Sequence, residues 1–508
     1  MQDAIDVDDS RGRSVPINMN FIETGYLSKD TGFSLSGATE TTEIHSLYNF
    51  EKKNGTSYFI RAMGTKIQLF NTTTGLWEDT IKTITAGTKF GYITDSANDI
   101  MYASNTVDTV WKWDGTTFTD VAACPKGDIL EIFEQRLYVA GVTAEPLTVY
   151  YSKPADFGNF TVSATEGGIF KPLGTDYITS LENYYGFLVI FKKKSIWKMT
   201  LPEVTTGVFV PKQELQSGNY GAISKRSVAW VENDIWFYTG REVRAFGFKD
   251  QQTGVLGINN SVLSEQIKET LLLVPETNQP YTSVFYSNRR FYLCISTSTF
   301  TPLVNDTIFV CHTLYKNSWT KYTGRDKAKS SELYAINNTI YSVKNITPFA
   351  TLKWDDTLLN DNGTAISASV TFKKVEDKDF NLFNIYRYLD LMFKNLQAKI
   401  AITIYQDASD LRTSKSKTFY IGLGTEDELA TVGEVDFGEN LWADGFGQSP
   451  VASPFIKRRV SFLSKAQSIT IQLSNTGLSE TFTIAQFALN GFKETKNMFT
   501  PSGIVTVK

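Results

Sequence analysis

The chain repeats a short pattern: an apolar strand, a tight turn, a second strand, a polar turn and an aromatic residue. The pattern runs through residues 58–77 and again through residues 100–118. Runs of β-branched and aromatic residues separated by Gly, Asn and Asp are typical of β-hairpins. Repetition along a chain indicates units that each bury one face against the next unit. The sequence therefore predicts an array of small antiparallel sheets.

The spacing of these hairpins indicates the kind of array. They begin near residues 58, 100, 137, 187, 235, 291 and 333, at intervals of 37 to 56 residues. With about four short strands in each unit, that interval matches the blade length of a β-propeller. Trp354-Asp355 is a solitary pair, and glycine doublets do not recur in register. We therefore predict an all-β fold whose main part is a degenerate β-propeller of about six blades, with five or seven as alternatives.

The propeller is expected to occupy residues 46–355. Residues 356–496 lose the regular spacing but keep alternating strands, which predicts a C-terminal antiparallel β-sandwich, or platform, domain. Residues 1–45 are expected to be an N-terminal docking arm that packs with the platform, and residues 497–508 a C-terminal tail. We expect a Gly-rich loop at 437–447 and one short helix within 259–271.

Composition is that of an ordinary globular protein. The 508 residues are 42% hydrophobic and 20% charged, so we expect two or more domains without extensive disorder. A net charge of −4 predicts no general attraction to nucleic acid or to anionic membranes. The first residues are acidic, and no apolar run approaches the ~20 residues of a membrane span, which indicates folding in a cytoplasm.

Few residues could carry metal or nucleophilic chemistry. Cys124, Cys294 and Cys311 lie in or beside apolar runs, which predicts buried free thiols. The only histidines are His45 and His312. Cys311 and His312 are neighbours on a predicted strand and point to opposite faces. A metal site needs three or four ligands, and a triad needs a suitably placed histidine. We therefore expect no metal, no cofactor and no triad.

Carboxylate pairs are the remaining enzymatic option, because propeller glycosidases place two carboxylates around a sugar bond. The candidate pairs are Asp355 with Asp356, Asp377 with Asp379, and Asp95 with Asp99. All three lie in turn-like sequence, where solvated turns are the ordinary explanation. We therefore predict that the protein is not an enzyme.

Two basic clusters are candidate contacts. Lys192, Lys193 and Lys194 form a predicted hairpin tip, which is either a solvated turn or a contact to phosphate or to an acidic partner. Residues 457–459 (KRR) lie on a predicted strand. Their side chains alternate between the two faces of the strand, so the basic groups on one face must be either exposed to solvent or paired with acidic groups.

Several stretches resemble one known protein family. In the propeller region they are residues 130–141 (LEIFEQRLYVAG), 149–160 (VYYSKPADFGNF), 220–228 (YGAISKRSV) and 235–243 (IWFYTGREV). A C-terminal pattern from residue 367 through 386–393 and 402–407 to 485–489 is similar to that family's platform domain. Over residues 130–490 the chain resembles the tail nozzle (tail tubular or hub) proteins of short-tailed bacteriophages.

The resemblance implies a structural virion protein that forms a homo-hexameric ring below the portal and adaptor proteins. It implies a place in the virion tail, assembly in the host bacterial cytoplasm, and double-stranded DNA passing through the lumen without specific binding. Other tail proteins, including tail fibres, would be its partners. Two alternatives remain open: a glycosidase, and a glycan-binding adhesin that uses aromatic residues at hairpin ends, namely Trp77, Trp319 and Tyr322.

Overall fold

The computed structural model describes residues 15–22, 26–85, 88–163, 166–201, 211–250, 255–258, 261–298, 305–315, 318–372, 375–376, 383–406, 415–422, 434–435, 456–466 and 468–494. These residues are almost entirely β-structure. The chain divides into two compact units. The propeller unit contains residues 33–317 and 322–356, and the platform unit contains residues 1–32, 318–321 and 357–508.

The described chain begins with three short strands, β1 (Met19–Phe21), β2 (Leu27–Lys29) and β3 (Phe33–Leu35). Seven sheets follow, which we number as blades 1 to 7 in chain order. Blade 1 consists of β4 (Ile44–Glu51), β5 (Ser57–Met63), β6 (Lys66–Asn71) and β7 (Leu76–Thr83). Blade 2 consists of β8 (Gly91–Asp95), β9 (Ile100–Ser104), β10 (Trp111–Trp113) and β11 (Phe118–Asp120). Blade 3 consists of β12 (Ile129–Phe133), β13 (Arg136–Ala140), β14 (Val149–Tyr151) and β15 (Gly168–Phe170). Blade 4 consists of β16 (Ile178–Tyr184), β17 (Phe187–Lys192), β18 (Ile196–Thr200) and β19 (Lys212–Ser217). Blade 5 consists of β20 (Val228–Val231), β21 (Asp234–Tyr238), β22 (Val243–Asp250) and β23 (Val255–Ile258). Blade 6 is β24 (Ser283–Ser287), β25 (Arg290–Ile295), β26 (Thr307–His312) and β27 (Trp319–Thr323), and blade 7 begins with β28 (Ser330–Ile336), β29 (Thr339–Lys344) and β30 (Ala350–Trp354).

Tight turns join the first two strands of most blades. In blade 7 the turn is Asn337-Asn338, with φ of 47° and 65°. In blade 6 it is Asn288-Arg289, with φ of 51° and 58°. Two consecutive residues with positive φ give a hairpin turn whose twist matches that of the flanking strands. The Asn residues that separate apolar runs in the sequence therefore lie in hairpin turns, as expected.

Apolar clusters between neighbouring blades form the core. Between blades 3 and 4 the cluster includes Tyr138, Leu181 and Leu188. A corresponding cluster between blades 7 and 1 includes Phe59 and Val343, so the series of sheets closes on itself. Fully burying one such side chain contributes about 1.5–3 kcal/mol. The fold is therefore a closed β-propeller held together by contacts between sheets.

In the described residues the propeller has seven blades, which is one of the alternatives to the predicted six. Blade 7 receives its fourth strand from the N-terminal segment: β3 pairs antiparallel with β30, with Phe33 opposite Trp354 and Leu35 opposite Leu352. The propeller unit accordingly begins at residue 33, not at the predicted residue 46. A strand contributed from more than 300 residues away leaves no local signal in the sequence of the last blade.

The platform unit contains the remaining strands. They are β31 (Asn360–Asp361), β32 (Thr364–Ala365), β33 (Ala368–Thr371), β34 (Val375–Glu376), β35 (Phe383–Gln397), β36 (Ile400–Gln406), β37 (Lys415–Ile421), β38 (Glu434–Val435), β39 (Ile456–Ala466), β40 (Ser468–Asn475) and β41 (Thr481–Glu494). One sheet has the order β1-β2-β41-β35-β39-β38. The other has the order β33-β40-β36-β37, with β34 also pairing with β40. The N-terminal strands β1 and β2 are therefore part of the platform's own sheet.

The helical content of the described residues is small. A 3-10 turn (Glu265–Ile267) leads into one short helix, α1 (Lys268–Leu272), which ends one residue after the predicted range of 259–271. No helix in these residues is both long enough and apolar enough to cross a bilayer. The predicted loop at 437–447, the tail at 497–508, and Asp377 and Asp379 lie outside the described residues.

Candidate functional site: the axial cavity of the propeller

The first strand of every blade faces the axis of the propeller. These strands, with the loops that precede them, line a cavity of about 1320 Å³. Its volume is above the roughly 300–1,000 Å³ of ordinary ligand pockets. Most successive first strands touch one another around the axis, including β28 with β4 across the point of closure. The cavity is thus a feature of the closed ring of blades and not of one hairpin.

Ion pairs cross this cavity between blades that are not neighbours. Arg226, just before β20 of blade 5, donates to Glu332 of blade 7 (Nη1 to Oε2, 2.8 Å) and to the carbonyl oxygen of Phe90, before blade 2 (3.2 Å). The adjacent Lys225 pairs with Asp128, which precedes blade 3. Side chains from one blade therefore reach three others, and they obstruct the axial passage at this level.

Lys89 and His45 lie beside this network. Burial, assisted by the charge of Arg226, lowers the pKa of Lys89 to about 8 against the opposing effects of Glu332 and Glu43. Burial also lowers the pKa of His45. Within the described part of the chain, the ammonium group of Lys89 has no hydrogen bond or ion pair.

Two glutamates form a separate acidic group in the same cavity. Glu131 of β12 and Glu182 of β16 belong to neighbouring blades. Glu182 accepts hydrogen bonds from Ser180 Oγ (2.8 Å) and Trp230 Nε1 (3.1 Å). Burial raises its pKa to about 7. Burial, together with the charge of Glu182, raises the pKa of Glu131 to about 8. Near neutral pH the pair therefore keeps at least one proton, since two close carboxylates cannot both ionise without cost.

Tyrosines from blades 1, 2 and 7 also line the cavity wall. The rings of Tyr48 and Tyr92 stack at 4.9 Å, and Tyr334 meets Tyr48 edge-on at 5.7 Å. The hydroxyl groups of Tyr48 and Tyr92 hydrogen-bond to Thr94 (2.7 Å) and Ser46 (3.0 Å). Burial raises the pKa of both tyrosines, so this wall stays neutral.

The predicted basic tip divides into a buried lysine and two exposed ones. Lys192 is fully buried, and its ammonium donates to the carbonyl oxygens of Pro172, Leu173 and Gly174 and pairs with Asp176 (3.2 Å). Lys193 and Lys194 are exposed, and Lys193 lines the cavity. Although burial opposes it, hydrogen bonds from the Lys194 amide and from Lys192 hold the pKa of Asp176 below its usual value. Lys192 is thus a structural residue in the interior, where the sequence placed it at an exposed tip.

The other candidate residues have structural roles. All three cysteines are buried and free, as predicted, and both histidines are buried. The described residues contain no group of three or more His, Cys, Asp or Glu side chains arranged to hold a metal ion. Asp95 accepts from the Ala97 amide (3.0 Å) and from Asn98 Nδ2 (2.7 Å), while Asp99 accepts from the Lys53 amide (2.8 Å). This carboxylate pair therefore stabilises turns.

The remaining aromatic and basic candidates are also engaged. Trp319 and Tyr322 are buried, and Trp77 Nε1 donates to the carbonyl oxygen of Ser36 (2.9 Å). On β39, Arg459 makes a two-point ion pair with Asp390, at 2.5 and 2.9 Å. Of the two alternatives predicted for residues 457–459, a solvated face or a paired one, Arg459 shows the paired one.

The residues that converge in the cavity were not identified as a site from the sequence. Glu131 interrupts an otherwise apolar strand, which is a local signal, whereas Glu182 lies on a strand that also contains Thr179, Ser180 and Asn183. Lys89, Arg226 and Glu332 lie on three different blades, so only the closed ring brings them together.

Comparisons with known proteins give little beyond this. No protein-family model matches the chain, and no curated protein matches it. Similar solved structures include the mitotic checkpoint complex (10% identity, 63% of this chain and 92% of that chain, TM-score 0.39). They also include the N-terminal domain of Nup159 (11%, 67% and 99%, TM-score 0.37) and an exo-β-1,3-galactanase from Phanerochaete chrysosporium with galactose (9%, 90% and 100%, TM-score 0.27). At such TM-scores the likeness supports no inference about function.

Proposed function

We propose that the chain is a structural subunit of a bacteriophage tail and forms the nozzle ring that extends the DNA-ejection channel below the portal and adaptor. The observation that carries this proposal is the resemblance of residues 130–490 to tail nozzle proteins. The matching stretches fall on β12–β14 and β20–β22 of the propeller and on β33, β35, β36 and β41 of the platform. Both units of the chain therefore contribute to the resemblance.

The axial cavity bears on the route of DNA in this proposal. Arg226 and Lys225 reach across it to three other blades, and its volume is about 1320 Å³. A double helix whose major groove alone is about 12 Å wide does not fit such a space. The DNA would therefore pass through the lumen between subunits. A net charge of −4 favours passage without retention, since retention needs aligned Lys and Arg.

The platform unit offers an edge for joining subunits. Strand β37 is the last strand of its sheet in the described residues, and Tyr420 on it is 51% exposed. An unpaired strand edge is a template for pairing with another chain. In a ring, one edge would meet a different surface of the next subunit, and the contact would repeat by rotation.

Electron microscopy and light scattering of the purified protein, alone and with neighbouring tail components, test this proposal. We expect six-membered rings. Tyr420→Glu should weaken ring formation, whereas Leu76→Glu, a similarly exposed site on the propeller (55%), should not. A chain that stays monomeric in the presence of its neighbouring tail components would refute the proposal.

A further inference from the structure

The axial cavity holds a partly buried cation, Lys89, for which the described protein provides no partner. Arg226 and Lys225 are each matched by a carboxylate, but Lys89 is not. Glu332, the acid that acts on Lys89 most strongly, is already bonded to Arg226 at 2.8 Å. Burying an ammonium group without a partner is costly. An oxyanion entering the cavity would remove that cost, so Lys89 marks a position that favours negative charge.

The second polar group in the cavity suits a different part of a ligand. Glu131 accepts the backbone N–H of Ile132 at Oε1 (3.0 Å), and its other oxygen has no hydrogen bond within the described residues. Because Glu131 and Glu182 retain a proton near neutral pH, they can both donate and accept hydrogen bonds. A partly protonated pair also repels an anion less than two carboxylates would. Hydroxyl groups, which likewise donate and accept, are the matching chemistry.

We propose that the axial cavity binds a small polyhydroxylated organic anion of the sugar-acid class, with its oxyanion at Lys89 and its hydroxyl groups at Glu131 and Glu182. The cavity has room for one or two sugar rings with bridging water. The tyrosine wall formed by Tyr48, Tyr92 and Tyr334 lines the same cavity and adds no charge. The site belongs to the propeller unit alone and does not depend on ring formation.

Isothermal titration calorimetry of the full chain tests the site with three probes: D-glucuronate, D-glucose and inorganic phosphate. We expect glucuronate to bind at least about tenfold more tightly than either of the other two probes. Glucose lacks the carboxylate that would contact Lys89, and phosphate lacks the sugar hydroxyl groups that would contact Glu131 and Glu182. Lys89→Met should weaken glucuronate binding by about tenfold or more. The matched control is Lys194→Met, which removes an exposed lysine that does not line the cavity.

A second variant keeps the test independent of the stability of the first. Glu131→Leu removes the hydroxyl partner and should weaken glucuronate binding about tenfold without changing the response to phosphate. Melting temperatures of all variants report whether the fold is intact. No saturable heat with glucuronate, equal binding to Lys89→Met and wild type, or equal affinity for phosphate and glucuronate would each overturn the proposal.

Discussion

Replacing Glu40 with alanine removes the carboxylate that neutralises Arg61 where blade 1 meets blade 7. The Arg61 side chain is fully buried, whereas that of Glu40 is 26% exposed. Arg61 Nε also donates to Gln68 Oε1 (2.8 Å), and its Nη1 reaches Thr351 Oγ1 of β30 (3.5 Å). The guanidinium group lies 4.5 Å from the ring centroid of Trp77. Arg61 thus links the segment after β3 to the last blade.

The size of the loss in unfolding free energy depends on which groups each substitution leaves without a partner. Removing one partner of a buried ion pair costs about 3–5 kcal/mol. Because Glu40 is partly exposed, we expect about 3 kcal/mol for Glu40→Ala. Arg61→Met removes the buried charge itself and leaves Gln68 without its donor, at a cost of about 1–3 kcal/mol. The double variant should cost no more than Arg61→Met alone. The double-mutant cycle should then give a coupling energy of about 3 kcal/mol.

Urea unfolding followed by tryptophan fluorescence measures this coupling. Of the nine tryptophans, seven lie in the propeller unit, so the signal reports mainly on it. The control cycle uses Glu265 and Lys268, whose side chains are 62% and 46% exposed and 3.4 Å apart. An exposed pair of this kind couples by less than about 0.5 kcal/mol. If the coupling of Glu40 with Arg61 is no larger than that of the control pair, the assignment of Arg61 to ring closure is wrong.

Three further predictions concern burial. Since burial raises the pKa of Glu182 from 4.5 to about 7, its ionisation destabilises the fold increasingly from pH 4.5 to about 7. The unfolding free energy of Glu182→Gln should match that of wild type at pH 4 and exceed it by about 1–3 kcal/mol at pH 8.5. Glu276→Gln, at an exposed site, is the control variant. Lys192→Met should cost about 3 kcal/mol, because it removes the ion pair with Asp176 and the ammonium donor of three carbonyl groups. Lys194→Met should stay within about 0.5 kcal/mol in the same assay, and equal effects of the two substitutions would contradict the buried placement of Lys192. Phe33→Ala, which removes a buried ring from β3, should lower propeller stability by about 3 kcal/mol in calorimetry, and an unchanged transition would mean that β3 does not close blade 7.

Local patterns in the sequence were sufficient to predict the type of fold. Six of the seven expected hairpin starts fall on the second strand of a blade. Those strands are buried on both faces, as in Arg136–Ala140, so their apolar runs are the most visible. The first strands face the axial cavity and carry polar residues such as Glu131 and Glu182. Their apolar pattern is therefore harder to recognise in the sequence.

Features that depend on long-range packing could not be predicted in the same way. The buried position of Lys192 requires three carbonyl groups from residues 172–174, and no local pattern encodes that approach. Likewise, the pairing of Arg226 with Glu332 joins blades 5 and 7, which are adjacent only across the axis. Composition and periodicity describe each strand's own faces, but not which groups meet when seven sheets close into a ring.

The placement of β1, β2 and β3 constrains how this chain can mature as it leaves the ribosome. Ser28 on β2 pairs with Thr483, and Leu35 on β3 pairs with Leu352. At a synthesis rate of about 5–20 residues per second, roughly 20–90 s pass between the synthesis of β2 and that of its partner β41. During that interval the nascent chain carries edge strands that can capture other chains. We therefore expect newly made subunits to need either prompt chaperone protection or early engagement by an assembly partner.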